Sequence, residues 1–436
     1  MSVPAPMAGR ALPARTRLAA RVGAVVGFLS RRVGAGGGTV IGGRVTLALD
    51  GDALARLARD RRVALVSGTN GKTTTTQLLT AALASAGPAC TNIGGANLPY
   101  GLVAALSGQM EAPAGAAAAL EVDEAWLAEV AQATAPAVVT LLNLSRDQLD
   151  RVSEVRMLGA RWRHAMPALA GAVVVANVDD PIVAWAASEA RSVCWVAAGQ
   201  PWRADASGCP RCEGRITYEG EQWTCACGLG RPRPGVWLED GKLALADGRR
   251  LAMSLQLPGR FNLGNAAMAA AAAAVMGVPE QQALDAMAST TEVFGRYEVV
   301  ELDGVRTRLL LAKNPAGWVG IFDLLAPGPA PVVVAINARV ADGRDPSWLW
   351  DVPFEQLRGR RVVATGERAS DLAVRLRYAE VDHVRVRDMR EAVRRAQAPE
   401  VDFVGNYTAF QDLRAALPAR GRAGGRGSRV SRAPAA

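Results

Sequence analysis

The segment Val63-Ala-Leu-Val-Ser-Gly-Thr-Asn-Gly-Lys-Thr-Thr74 constrains the fold more than any other stretch of this 436-residue chain. Val63–Val66 reads as a short buried strand, Ser67–Gly71 as a loop of small residues, and Thr73–Ala86 as a helix stopped by Gly87-Pro88. Gly68 and Gly71 let backbone N–H groups turn toward one centre, where the helix N-terminus adds partial positive charge. Lys72 then reaches the β- and γ-phosphates of a nucleotide, and a hydroxyl of Thr73 or Thr74 is placed for Mg²⁺. The usual longer phosphate loop would carry Gly at position 66, where this chain has Val, so the loop is a shortened variant.

Strand and helix alternate after this loop. Ala118–Val122, Ala137–Leu142, Ala172–Val175 and Val193–Val196 are strand candidates, and an Ala-rich helix is predicted over Asn265–Met276. This alternation predicts an α/β fold with a parallel sheet covered on both faces. A second α/β unit begins at Val299, with strands predicted at Thr307–Leu311, Val332–Ile336, Arg361–Ala364 and Asp402–Val404. The expected organisation is a basic segment 1–47, an ATP-binding domain 48–298 with an insert at 205–234, an α/β domain 299–418, and a disordered basic tail 419–436.

Charge is unevenly placed along the chain. The net charge is +9, yet residues 1–45 hold seven Arg and no acid, and 419–436 hold five Arg and no acid. The arms are therefore either solvated ends or a basic surface drawn to an anionic membrane, and nucleic acid is not an expected partner. No apolar run approaches the length of a membrane span and no cleavable leader is recognised, so a cytoplasmic protein is expected, with peripheral attachment at the inner membrane face as the variant. Only Lys72, Lys242 and Lys313 are lysines, so each invites a functional question.

Cys209-Pro-Arg-Cys212 and Cys225-Ala-Cys227 stand twelve residues apart inside the insert. Four thiolates on two tight turns suit a structural Zn²⁺ with no open coordination position. Two disulfides are the rival, disfavoured in a reducing compartment. Cys90 and Cys194 read as core residues.

Five ordered motifs resemble the Mur ligase superfamily, which also contains folylpolyglutamate synthases. They are Gly68-Thr-Asn-Gly-Lys-Thr-Thr74, Leu120-Glu-Val-Asp-Glu124, Asn143-Leu-Ser-Arg-Asp-Gln-Leu-Asp150, Leu257-Pro-Gly-Arg-Phe-Asn-Leu-Gly-Asn265 and Phe294-Gly-Arg-Tyr-Glu298. The resemblance implies ATP bound by Gly68, Thr69, Asn70, Gly71, Lys72, Thr73 and Thr74, with Asn262 and Asn265 near the adenine. It implies Mg²⁺ on Thr73 and Glu121, and charge neutralisation by Lys72 and Arg296; the alternative for each of Glu121, Asp123 and Glu124 is a surface charge. The reaction implied is phosphorylation of a carboxylate and attack by a nitrogen nucleophile. Gln148 stands where most of these ligases have His, and no Lys lies between 73 and 241 to serve as their carbamylated lysine.

The four-cysteine insert resembles the MurT family, the amidating branch. So does Lys313 in Leu309-Leu-Leu-Ala-Lys-Asn-Pro-Ala-Gly317, which stands where other Mur ligases have His. This likeness implies amidation of the D-glutamate α-carboxyl of the lipid II stem peptide, in a heterodimer with a GatD-like glutaminase. It also implies that Lys313 helps neutralise the acyl phosphate, and that Asp345, or next Asp351, supports the glutaminase from the segment Ala341–Asp351. With only His164 and His383, a self-contained glutaminase is not expected. An amino-acid ligase of Mur or folate type, or an ATP-binding scaffold that activates a glutaminase, remains the alternative.

Overall fold

A computed structural model describes residues 12–32, 38–92, 96–146, 155–291, 297–325 and 328–417. Its contacts divide them into two compact units, 12–291 and 297–417. In the first, the helices are α1 (Ala14–Arg32), α2 (Thr39–Leu49), α3 (Ala53–Ala58), α4 (Lys72–Ala84), α5 (Pro99–Ser107), α6 (Leu127–Thr134), α7 (Val155–Ala165), α8 (Pro181–Ala187), α9 (Arg260–Val275) and α10 (Glu280–Met287). Its strands are β1 (Arg62–Ser67), β2 (Ala89–Thr91), β3 (Ala117–Glu121), β4 (Val138–Leu141), β5 (Val173–Asn177), β6 (Val193–Ala197), β7 (Ile216–Glu219), β8 (Gln222–Cys225), β9 (Val236–Glu239), β10 (Lys242–Leu245) and β11 (Arg250–Ala252).

Among the described residues the main sheet of this unit has nine strands, in the order β11-β10-β9-β6-β5-β4-β1-β3-β2. From β9 to β2 every pairing is parallel, and β10 and β11 add antiparallel strands at one edge. Alternation along β1 shows why both faces need cover. Val63 and Leu65 enter a core built from α3, α5, α6, α7 and α8, while Ala64 and Val66 enter one built from α4, α9 and α10. In α9 the run Ala266–Ala273 is wholly buried, which lets that helix approach the sheet closely.

The predicted strands at 63–66, 118–122, 137–142, 172–175 and 193–196 all lie on β-structure, within a residue or two at their ends. The edge strands β9, β10 and β11 were not anticipated. β9 and β10 turn at Asp240-Gly241, with φ of 49° and 72°, the left-handed pair that a two-residue hairpin requires. The basic segment also has structure that charge alone did not suggest: α1 and α2 form a hairpin packed against α5.

The second unit has α11 (Pro315–Phe322), α12 (Ala369–Tyr378), α13 (Met389–Arg395) and α14 (Tyr407–Ala415). Its strands are β12 (Tyr297–Leu302), β13 (Val305–Leu311), β14 (Val332–Ala335), β15 (Val362–Thr365), β16 (His383–Arg385) and β17 (Glu400–Gly405). Among the described residues they form a six-stranded sheet, β12-β13-β17-β14-β15-β16, parallel apart from the β12–β13 hairpin. Val332 and Val334 face a core with α11 and α12, and Val333 faces one with α13 and α14. The predicted disordered tail lies outside the described residues.

Candidate functional site

The phosphate loop leaves the C-terminal end of β1, where a parallel sheet opens its ligand crevice. Gly68 has φ of 144°, and a Cβ there would meet Leu142 Cβ at 2.8 Å. Gly71 has φ of 86°, and its Cβ would meet Asn265 Oδ1 at 2.4 Å. Neither position accepts a side chain without moving a neighbour. Asn265 donates to Asn262 Oδ1 at 3.2 Å, so both adenine-side candidates are on α9 beside the loop.

Side chains following β4 hold the loop in shape. Thr69 N donates to Asn143 O at 2.8 Å, and Asn70 N donates to Asn143 Oδ1 at 3.0 Å. Asn143 Nδ2 returns a bond to Asn70 O at 2.9 Å. Thr69 Oγ1 accepts from Ser145 N at 3.0 Å and donates to Ser145 O at 3.1 Å. The sequence marked Asn143 as part of a motif without a physical role; that role is to clamp the loop.

Lys72 is buried, and its Nζ donates to Gly68 O at 2.6 Å and pairs with Glu124 at 2.9 Å. Glu121 ends β3 and is also buried. Asn92 brackets its backbone, accepting from Glu121 N at 2.8 Å and donating to Glu121 O at 2.9 Å. Asn97 Nδ2 lies 3.3 Å from Glu121 Oε1. Lys72, Glu121 and Glu124 therefore belong to one region at the sheet's C-terminal edge, with Thr73 half-buried in the first turn of α4 and Thr74 buried beside it. Asp123 is spent locally, accepting from Ala125 N at 3.1 Å. The sequence signal for Asn92 and Asn97 was the Asn-Ile-Gly-Gly-Ala-Asn run after a short strand. Arg296 and Gln148 lie outside the described residues.

Beneath the clamp sits Asp180, fully buried at the start of α8. Its carboxylate accepts from Ile182 N, Val183 N, Leu144 N and Gln200 Nε2 at 2.9, 3.1, 2.8 and 2.9 Å. Burial pushes its pKa up to about 6, beyond what the Leu144, Val183 and Ile182 N–H groups recover. Because the folded value lies above the ordinary 3.8, this group's contribution to stability is full below about pH 4 and is lost as pH rises through 6. The loss is on the order of 3 kcal/mol from the size of the shift. Urea unfolding of wild type and Asp180→Asn from pH 4 to 7 tests it. The difference between them should change across this window and be flat above it; a pH-independent difference contradicts the assignment.

The four cysteines are brought together. All four Sγ atoms lie within 4.8 Å of one another, with Cys209–Cys227 at 3.7 Å and Cys212–Cys225 at 3.5 Å. Those separations suit a cation at thiolate bonding distance from each. Gly214 is part of the cradle, since a Cβ there would sit 3.2 Å from Cys212 Sγ. The Leu229 N–H holds Cys227 down at about 7, whereas burial pushes Cys209 up. A cation held by the four sulfurs would bind them as thiolates and displace their protons.

In the second unit Asn314 caps α11, accepting from Gly317 N at 2.8 Å, and Lys313 precedes it, half-buried. Asp342 is buried and holds Thr408 N at 2.8 Å, so it is a structural anchor. Asn337 and Asn406 exchange bonds of 3.0 and 2.7 Å, and Asn337 Oδ1 takes Glu367 N at 3.0 Å. These bonds tie together the ends of β14, β15 and β17. Asp345 and Asp351 remain exposed, and Asp345 accepts from Ser347 N at 2.8 Å, which lowers its pKa. Trp348 is buried, while Trp350 is 53% exposed and stacks edge-on with Tyr378.

Residues 66–208 match the Mur ligase middle domain, and residues 311–410 match the MurT ligase C-terminal domain. The chain is 28% identical to the lipid II isoglutaminyl synthase (glutamine-hydrolyzing) subunit MurT of Streptococcus pneumoniae, over 93% of this chain and 98% of that one. The chain belongs to the Mur ligase family, in its MurT branch. It is 27% identical to the subunit of the same description from Staphylococcus aureus strain N315, over 88% of this chain and 93% of that one. Among solved structures its fold is similar to a pseudomurein peptide ligase type C from Methanothermus fervidus, with TM-score 0.64, 21% identity, and 81% and 78% of the two chains covered. It is also similar to MurF from Acinetobacter baumannii, with TM-score 0.60, 18% identity, and 85% and 80% covered. As a Mur-family protein it is an ATP-dependent ligase subunit, and its phosphate loop lies within the matched middle domain.

Proposed function

We propose that the chain amidates the D-glutamate α-carboxyl of the lipid II stem peptide, giving D-isoglutamine during peptidoglycan synthesis. What carries this reading is an intact phosphate loop in a chain that aligns along nearly its whole length with subunits named lipid II isoglutaminyl synthase. ATP's γ-phosphoryl group passes to a carboxylate oxygen and ADP leaves. Ammonia then attacks the acyl carbon, phosphate departs, and the nitrogen loses a proton.

Lys72 and the loop N–H groups neutralise the moving phosphoryl charge, which is most of what such a transfer needs. Arg296 and Lys313 are proposed as further cations for the acyl phosphate. Thr73 and Glu121 would hold Mg²⁺, which screens the phosphate oxygens, and Asn262 and Asn265 would face the adenine. Cys209, Cys212, Cys225 and Cys227 would hold a structural Zn²⁺.

Ammonia comes from a glutaminase partner of GatD type. Its docking is supported by the exposed pair of Trp350, on the segment that bears Asp345 and Asp351, and Tyr378, at the end of α12, since exposed aromatics of this kind anchor interfaces. Of the two aspartates, Asp345 is held ionised by Ser347 and is the first choice to support the partner's catalytic pair.

Purified chain with ATP, Mg²⁺, lipid II and ammonium chloride should form the amide, read by mass spectrometry. Product formed only with a free amino acid would overturn the reading. With the glutaminase present, Asp345→Asn should cut glutamine-driven amidation by about 100-fold or more while ammonium-driven amidation persists. An equal loss with ammonium chloride, or a loss confined to Asp351→Asn, contradicts the role given to Asp345.

A further inference from the structure

Helix α1 is packed inside out. It buries its small residues, Thr16, Ala19, Ala20, Gly23, Gly27 and Ser30. Its large apolar residues face outward: Leu18 is 65% exposed, Val25 58%, Phe28 48% and Leu29 54%. An ordinary surface helix does the reverse.

The attachment of the buried side explains how this is stable. A Cβ on Gly23 would lie 2.5 Å from Gly42 O, and one on Gly27 would lie 2.7 Å from Gly38 O. Backbones of α1 and α2 therefore touch along a glycine seam. Thr16 donates to Asp50 at 2.6 Å and closes the other end. Such contact leaves no room for Leu or Phe between the helices, and none of the larger side chains is needed there.

On the outward side, Leu18, Val22, Val25 and Leu29 follow a spacing of four, three and four residues, which lines them along one stripe. Arg17, Arg21 and Arg32 are exposed on the same helix, and Arg32 lies over the Phe28 ring at 4.9 Å. Among the described residues none of Arg17, Arg21, Arg31 and Arg32 makes an ion pair, and no acid occurs in the sequence before Asp50. At the same end of the hairpin Val40 and Ile41 are 41% and 43% exposed. No helix among the described residues is long and apolar enough to cross a membrane.

We propose that the outward face of α1 is a docking surface for an anionic lipid bilayer, with Leu18, Val25, Phe28 and Leu29 entering the headgroup boundary and the arginines meeting lipid phosphates. Charge complementarity selects this occupant. A face with exposed apolar side chains and cations but no acid gains from both the interface and the negative surface potential of such a membrane. A second copy of the same face would set arginines against arginines. The docking residues stand apart from the phosphate loop, so attachment does not depend on the reaction assigned above.

The test is co-sedimentation of the full chain with phosphatidylcholine vesicles, with and without about one third phosphatidylglycerol. The chain should bind only the anionic vesicles, and more weakly at high salt. Val25→Asp with Leu29→Asp, and separately Arg17→Glu with Arg21→Glu, should each lower the partition coefficient by about tenfold or more. ATP hydrolysis and the unfolding midpoint should be unchanged, because these side chains are exposed.

Equal binding to neutral vesicles, or binding that survives both double variants, overturns the proposal. So does binding lost only when the arginines of residues 419–436 are replaced. Light scattering supplies the remaining outcome: a dimer that Val25→Asp with Leu29→Asp dissociates, without any anionic-vesicle binding by wild type, makes the face a self-interface and also overturns it.

Discussion

Lys72→Met lowers ATP-dependent turnover by about 10³-fold, measured as ADP release with lipid II and ammonium chloride. Loss of a single charge-stabilising donor in a dry site costs on the order of 10² to 10³ in rate, and Lys72 is the buried cation of the loop. Met preserves the length and apolar stem of the side chain, so packing around it is kept. The Glu124 partner makes the experiment more informative. Lys72 Nζ donates to Gly68 O and pairs with Glu124. A γ-phosphate drawn to this ammonium would share it with that carboxylate.

Glu124→Gln leaves the ammonium in place and removes its resting counter-charge. Its expected effect on turnover is therefore much smaller, within about tenfold, and it appears mainly in the KM for ATP. If Glu124→Gln lost as much turnover as Lys72→Met, Glu124 would be acting on the metal or the substrate. Glu121, clamped by Asn92 and Asn97, would then no longer be the preferred carboxylate for Mg²⁺.

The phosphate loop was legible because all of its determinants are local. Strand, glycines, lysine and helix start follow one another within twelve residues, and each constrains its neighbours directly. The clamp was not legible in physical terms. Asn70 meets Asn143 across 73 residues, and Asp180 meets Leu144 across 36, and nothing in either segment states the pairing. The N-terminal hairpin was hidden for a different reason. Its arginines drew attention to charge, while the features that build it are glycines at 23, 27, 38 and 42, visible only as a helix seam once both helices exist. The three edge strands of the first sheet are three or four residues long, too short for periodicity to separate from loop. The aspartates of 342–351 divide cleanly only in three dimensions, where Asp342 is consumed by Thr408 and Asp345 is left outward.

The cysteine cluster sets the other large effect, on stability and metal content. The hairpin of β7 and β8 is small, and its core consists of Ile216, Trp223, Leu229, Cys209 and Cys225 packed on Ala184. A core of that size does not hold two strands by burial alone. Trp223 donates to Val178 O at 2.8 Å, and Cys209 N and Cys225 N donate to Gly214 O and Leu229 O at 2.6 and 2.8 Å. These few contacts position the turns, and a tetrahedral cation would supply the rest, since structural zinc contributes roughly 10 kcal/mol or more to the folding of small ribbons. Native protein should then contain one zinc per chain by elemental analysis. Cys225→Ser should lose it, and backbone amides over 207–230 should exchange with solvent far faster, by about 10³-fold or more in protection. Exchange over β1 and α4 should change little, because the cores around them include none of the cysteines of the cluster. Two disulfides would behave oppositely: strong chelators would leave the region protected, and reductant alone would open it. Zinc absent from native protein, with protection over 207–230 intact in Cys225→Ser, would remove the metal from the account and leave the four thiols as an ordinary turn pair.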